Sequence, residues 1–206
     1  MARQAAHQEI LIAMLSPCVS LAPIAEDGAR ISEEIDRYRQ QARELAAAVA
    51  GMGSDSADAI ESQEATLAEF AAALAGADYY ERLTAAFIGF GIIRDFFEEL
   101  SDAYPKPAAT AIRKALPKAE FWDWVAGNLL AAMRADSRLA NRLALWARSI
   151  VADCLLEVWR CLGHQGQTVR FTPIRRNSTQ FRELEPLVTA LVSHHSSRMA
   201  KLELTA

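Results

Sequence analysis

Residues 31–52 read ISEEIDRYRQQARELAAAVAGM, and the apolar members Ile31, Ile35, Tyr38, Ala42, Leu45, Val49 and Met52 recur at steps of four and three. That spacing lays a single apolar stripe along a helix of about 25 residues, which stops at the turn formers GMGSDS. The same stretch sets Glu33, Glu34 and Asp36 within one helical turn of Arg37. These charges either turn inward beside the stripe or face water opposite it, and the pattern alone allows both. A helix with one apolar face needs other helices to cover it, so a bundle is expected.

The rest of the chain repeats the rule. Leu83, Phe87, Phe90, Ile93, Phe97 and Leu100 form a second stripe ending at Tyr104-Pro105-Lys106-Pro107, where two prolines remove backbone donors. A third helix begins just after them. The run AEFWDWVAGNLLAA, residues 119–132, holds too many aromatics for a surface helix. Residues 138–162 are apolar around most of their circumference, which predicts a central position. The segment GHQGQTVRFTPIRRNST reads as the substantial loop, and residues 180–202 as a closing helix. Near the start, ILIAMLSPCVSLA suits a core helix better than a secretory leader, because one Arg is offset by Glu9 ahead of it. Only TVRFTPI hints at a strand, and Pro173 demotes it. The fold class is therefore all-α, a bundle of about seven helices, in one domain over residues 1–206.

Composition narrows the function classes. A net charge of −4 gives no global field for a polyanion, so no nucleic-acid partner is expected. No run reaches the roughly 18 apolar residues of a membrane span. Cys18, Cys154 and Cys161 are an odd number without metal-type pairing, which fits free thiols and a cytoplasmic location. Gly-rich phosphate loops and Cys-x-x-Cys pairs are absent from the sequence. Arg170, Arg175 and Arg176 could hold a phosphate or carboxylate, or could be a solvated loop.

Three segments, GFGIIRDFFEEL (89–100), RLALWARSIVADCL (142–155) and HHSSRMAKLEL (194–204), together resemble the MiaE-like tRNA hydroxylases. The resemblance implies a ferritin-like bundle in which inward carboxylates and acid-x-x-His pairs hold two irons that activate dioxygen. Iron takes hard carboxylate oxygens with imidazoles, and i,i+3 spacing puts both ligands of a pair on one face. This sequence departs from the pattern. Its histidines are His7, His164, His194 and His195, and none has an acid three residues before it. The family's helix-two pair falls on Glu34 and Arg37, exchanging a ligand for a permanent cation. Phe90 stands where a family acid is expected, although Asp95 remains. The second pair falls among Ala115, Pro117, Lys118, Glu120 and Asp123, without a histidine. Asp153 matches a family Glu, and His195 matches a family histidine.

These readings name Glu34, Arg37, Asp95, Lys118, Glu120 and Asp153 as polar site groups, with a carboxylate as base and Arg37 or Lys118 stabilising developing negative charge. Phe90, Trp122, Trp146 and His195 are expected to contact a hydrophobic small-molecule substrate, and His195 could shuttle a proton. No metal or other cofactor is expected. The function expected is acid–base transformation of that molecule, as in tailoring or cyclisation of a specialised metabolite. One alternative keeps two iron ions, or manganese, on Glu34, Asp95, Glu120, Asp123 and Asp153 alone, as in a diiron hydroxylase. Another is a non-catalytic scaffold whose interior the aromatics fill. A homodimer through an apolar helix face is also possible on this reading.

Overall fold

The computed structural model describes residues 2–51, 67–116, 119–162 and 179–204, and all regular structure among them is helical. Helix α1 (Ala2–Leu21) and α2 (Ala25–Gly51) form a close hairpin. A Cβ added at Gly28 would sit 2.5 Å from the Val19 carbonyl oxygen, so only glycine lets the two backbones approach there. Helix α3 covers residues 67–73. One continuous rod follows, made of α4 (Tyr79–Thr84), a π-turn (Ala85–Phe90) and α5 (Gly91–Ser101). Beyond Pro105 come α6 (Lys106–Lys114), α7 (Ala119–Ala135), α8 (Ser137–Cys161) and α9 (Thr179–Lys201).

The stripes become the core. Ile31, Ile35, Tyr38, Ala42 and Leu45 of α2 are all buried, as are Leu11, Met14, Leu15 and Cys18 of α1, so the first apolar run is a core helix as read. Edge-on ring pairs lock the interior: Phe96 with Phe97 at 5.1 Å, Phe121 with Trp122 at 5.2 Å, and Tyr38 with Phe121 at 6.5 Å between centroids. Asp78 caps α4 by accepting from the Glu81 amide at 2.9 Å, while the Glu81 carboxylate takes the Ala77 amide at 2.8 Å. This reciprocal pair satisfies donors that a helix start leaves open.

One expectation changes. Helix α8 buries Leu143, Ala147, Ile150, Cys154 and Val158 on a single face, but Leu145 on the other is 68% exposed, so α8 borders solvent and is not enclosed all round. Residues 163–178 of the expected loop, with Arg170, Arg175 and Arg176, residues 52–56 of the stop signal and residue Lys118 lie outside the described residues. No described helix is long and apolar enough to cross a membrane.

Candidate functional site

The π-turn at Ala85–Phe90 inserts an extra residue into the α4–α5 rod and so rotates everything after it. The rotation brings Gly91 against α9. A Cβ at Gly91 would lie 2.6 Å from Arg198 Nε and 2.8 Å from Arg198 Cδ, so the missing side chain is the space the Arg198 side chain fills. Beside this contact a cleft of about 650 Å³ opens between α5, α7 and α9. Phe87 and Trp122, 6.3 Å apart between centroids, form its apolar wall.

The cleft is anchored on Asp95. This carboxylate is 1% exposed, and cations saturate it. Arg94 donates to Oδ1 from Nε at 3.1 Å and Nη2 at 2.7 Å. Arg198 Nη1 donates to Oδ2, and His194 Nδ1 stands 3.4 Å from the same oxygen. Two guanidiniums against one carboxylate leave a local positive excess, worth more here than in water because the pair is shielded. Burial pushes the Arg198 pKa down, while the charge and hydrogen bond of Asp95 oppose that shift. Further out, Asp123 is tied by Lys201 and Asp102 by Arg113, and Glu98 and Glu99 also line the cleft, so the positive excess is confined to the Asp95 cluster and the rim beyond it is acidic.

Glu34 and Arg37 adjoin this region from α2. Glu34 is buried and accepts from Arg37 Nη1, whose side chain is 42% exposed, so the i,i+3 ion bridge runs from the interior to the surface. Tyr38, one turn on, has its pKa raised well above 10.0 by burial first and by Glu34 second, and Arg94 is among the charges acting on it. Glu34, Arg37, Tyr38, Arg94 and Asp95 therefore belong to one electrostatic neighbourhood.

Of the remaining residues singled out in the sequence, only Trp122 lines the cleft. Phe90 is buried in the aromatic core against Phe70, 6.1 Å away. Trp146 donates from Nε1 to the Glu81 carbonyl at 3.0 Å, clamping α8 to the α4 start. The Glu120 side chain is 89% exposed, with Arg30 at 3.9 Å, because it lies on the solvent side of α7. Asp153 is half-buried and outside the cleft. His195 is half-buried on the face of α9 that carries Leu191 and Met199, while its neighbour His194 faces the cleft. Helical geometry explains that exchange, since adjacent residues point about 100° apart.

The sequence reading missed Gly91, Arg94, His194 and Arg198 as site groups. Glu157 was not among the site groups named from the sequence, and it is fully buried. Arg3 donates to Glu157 Oε1 from Nε at 3.0 Å and Nη2 at 2.8 Å, and His7 Nε2 is 2.8 Å from the same atom. Burial alone would raise the Glu157 pKa, but the hydrogen bonds and charges of His7 and Arg3 hold it below 4.5.

Among the described residues, the donor set does not fit the two irons of a ferritin-like centre. Such a centre needs carboxylates and imidazoles from several helices converging on one point. Here Glu34 is bonded by Arg37, Asp95 by Arg94 and Arg198, and Glu120 points to solvent. Among the described residues, one group of three or more metal-ligating side chains converges, and it is His7, Glu157 and Cys161. A carboxylate-only iron or manganese site on Glu34, Asp95, Glu120, Asp123 and Asp153 is thus not assembled.

No curated protein matches the chain. A family model described as the ferritin-like domain of actinomycetes matches residues 12–166, three quarters of the sequence and the whole span from mid-α1 to the end of α8. With the helix order and the inward polar groups already described, that match makes the chain a member of the actinomycete ferritin-like domain family.

Proposed function

We propose that this protein is a divergent relative of the MiaE-like hydroxylases that has exchanged the paired-iron centre for internal ion pairs and uses the α5–α7–α9 cleft to bind and transform a small molecule. The observation that carries the reading is the Arg94–Asp95–Arg198 cluster with His194 at its edge, inside a cleft of about 650 Å³. A volume of that size suits a metabolite-sized ligand. Phe87 and Trp122 offer an apolar face, and Arg198 Nη2, which has no acceptor among the described residues, offers a charged donor to an acidic group. The expected hydrophobic ligand is therefore refined to an amphipathic one, planar on one side and anionic at one end.

The chemistry such a cleft supports is proton transfer. Asp95 orients the His194 imidazole through Nδ1 and leaves Nε2 to take a proton from the ligand, while Arg198 and Arg94 stabilise the negative charge that develops. His194 takes the role the sequence reading gave to His195, and Arg198 the role it gave to Arg37 or Lys118. Mutual geometry permits this without any redox step.

Titration with a panel of aromatic carboxylates, followed by Trp fluorescence and by thermal shift, tests the reading. The expected result is saturable binding that weakens about tenfold or more in Trp122→Ala and in Arg198→Leu, a loss of at least about 1.4 kcal/mol, and is untouched by Trp146→Phe. Absence of any saturable binder, or equal binding by Trp122→Ala, would favour the scaffold reading.

A further inference from the structure

The buried cluster around Glu157 carries a separate inference, independent of the cleft. His7 Nδ1 is 2.7 Å from the Arg3 carbonyl oxygen, an atom that only accepts, so Nδ1 carries a proton and Nε2 is the nitrogen presented inward. Nε2 reaches Glu157 Oε1 at 2.8 Å, and the Cys161 thiol lies 3.7 Å from the same oxygen, one helical turn along α8. The Phe70 and Phe97 rings stand edge-on to the imidazole at 5.7 and 5.6 Å and fix its plane. All these polar contacts fall on Oε1. Among the described residues the other oxygen, Oε2, is buried without a hydrogen-bond partner, although Glu157 is 0% exposed.

We propose that His7 Nε2, the Glu157 carboxylate and Cys161 Sγ form a binding site for one divalent cation of the zinc class. The donor set is mixed nitrogen, oxygen and sulfur, which suits zinc, cobalt or cadmium and disfavours magnesium and calcium. The three ligand atoms already lie within 4.8 Å of one another. Ligands at about 2.0–2.3 Å from a tetrahedral ion stand roughly 3.3–3.8 Å apart, wider than the 2.8 Å His7–Glu157 contact, which must open slightly. Oε2 meets that need, because Arg3 can keep Oε1 while the second oxygen turns to the ion. The Arg3 carbonyl supplies the outer hydrogen bond that orients a metal-binding imidazole.

Charge balances as well. One proton is shared between His7 Nε2 and Glu157 Oε1, and the thiol holds another. Binding a dication with release of both leaves the net charge of the cluster unchanged, so the interior gains no uncompensated charge. His7 precedes the residues matched to the family, which makes the site a feature of this chain beyond the ferritin-like match.

Cobalt(II) titration of the metal-stripped full-length protein tests the assignment. One equivalent is expected to give a thiolate-to-cobalt charge-transfer band and to release two protons in weakly buffered solution. Cys161→Ser is expected to lose the band and His7→Gln to lose stoichiometric binding. A wild-type spectrum without the band, or a band that persists in Cys161→Ser, overturns the proposal. A readout that needs no variant is the thermal midpoint of the wild-type protein with zinc chloride against magnesium chloride. Stabilisation by zinc alone supports the site, and equal response to both salts overturns it.

Discussion

Asp95 on α5 and Arg198 on α9 are bonded side chain to side chain where α9 meets the bundle. Asp95 is 1% exposed and Arg198 8%, and the Arg198 Nε and Nη2 atoms find no other acceptor among the described residues. A guanidinium so enclosed depends on that one carboxylate for its compensation. The same bond docks α9 onto the bundle and shapes the cleft.

Removing the carboxylate should therefore be costly out of proportion to its size. Asp95→Asn is expected to destabilise the fold by about 3–5 kcal/mol, the range for stranding a buried charge. The double replacement Asp95→Leu with Arg198→Met should recover most of that loss, because neither charge is then left buried alone. Urea denaturation of the three proteins checks both statements. Additive losses in the double variant would mean that the two side chains stabilise the protein independently.

Gly91 offers a sign reversal. In the wild-type protein Gly91→Ala places a Cβ 2.6–2.9 Å from three Arg198 atoms, and the pinned guanidinium cannot retreat without leaving Asp95. A loss of about 1–3 kcal/mol is expected, as for other overpacked sites. Once Arg198 is shortened to Ala, the same Gly91→Ala change should stabilise by up to about 1 kcal/mol, since alanine is the better helix former. Thermal or urea melts of the four proteins in this cycle decide it.

The elements legible in the sequence are those whose apolar residues step by three and four. The Ile31–Ile35–Tyr38 stripe and the rod toward the Pro105 break appear where that stepping places them, and the closing helix expected over residues 180–202 is α9. The π-turn was not legible, because its extra residue leaves no periodic mark in AAFIGF, and with it went the register that sets Gly91 against Arg198. Asp95, named from the sequence as a polar site group, is buried and lines the cleft. The position of His195 outside the cleft lining had a signal within reach: Leu191, His195, Arg198, Met199 and Leu202 follow one helical stripe, which puts His195 toward the core and a charged Arg198 where an apolar residue would normally stand. Glu157 was equally detectable, as a carboxylate in line with Ile150, Cys154 and Cys161 on a buried face. Its partners Arg3 and His7 were not, since nothing local ties residue 7 to residue 157.

Trp146 separates a structural aromatic from a ligand-contacting one. Its indole N–H donates to the Glu81 carbonyl at 3.0 Å, and the same helix start is held by Arg142, 3.2 Å from the Glu81 carboxylate. Trp146→Phe keeps most of the ring packing and removes the bond, at an expected cost of about 1 kcal/mol. Hydrogen exchange should accelerate in residues 79–84 and leave α9 unchanged. Faster exchange in α9 would show that Trp146 supports the cleft after all.

His195 makes the acid sensitivity of the fold partly predictable. Burial lowers its pKa below 6.5, and the neighbouring Arg198 charge lowers it further, so the folded protein holds the imidazole neutral. In the unfolded chain the group titrates near its ordinary value. Above about pH 6.5 both states are neutral and the histidine adds no pH dependence. As pH falls below that value, the unfolded chain takes up a proton that the folded protein refuses, and stability declines until the folded group also protonates. His195→Leu, which suits the apolar Leu191–Met199 face, should flatten this part of the stability–pH curve and leave the variant gaining on the wild type as pH falls below about 6.5. Denaturation midpoints across that window provide the check. A wild-type curve that is level there, or a variant with the same slope, would mean that the imidazole protonates in the folded protein as readily as in the unfolded chain.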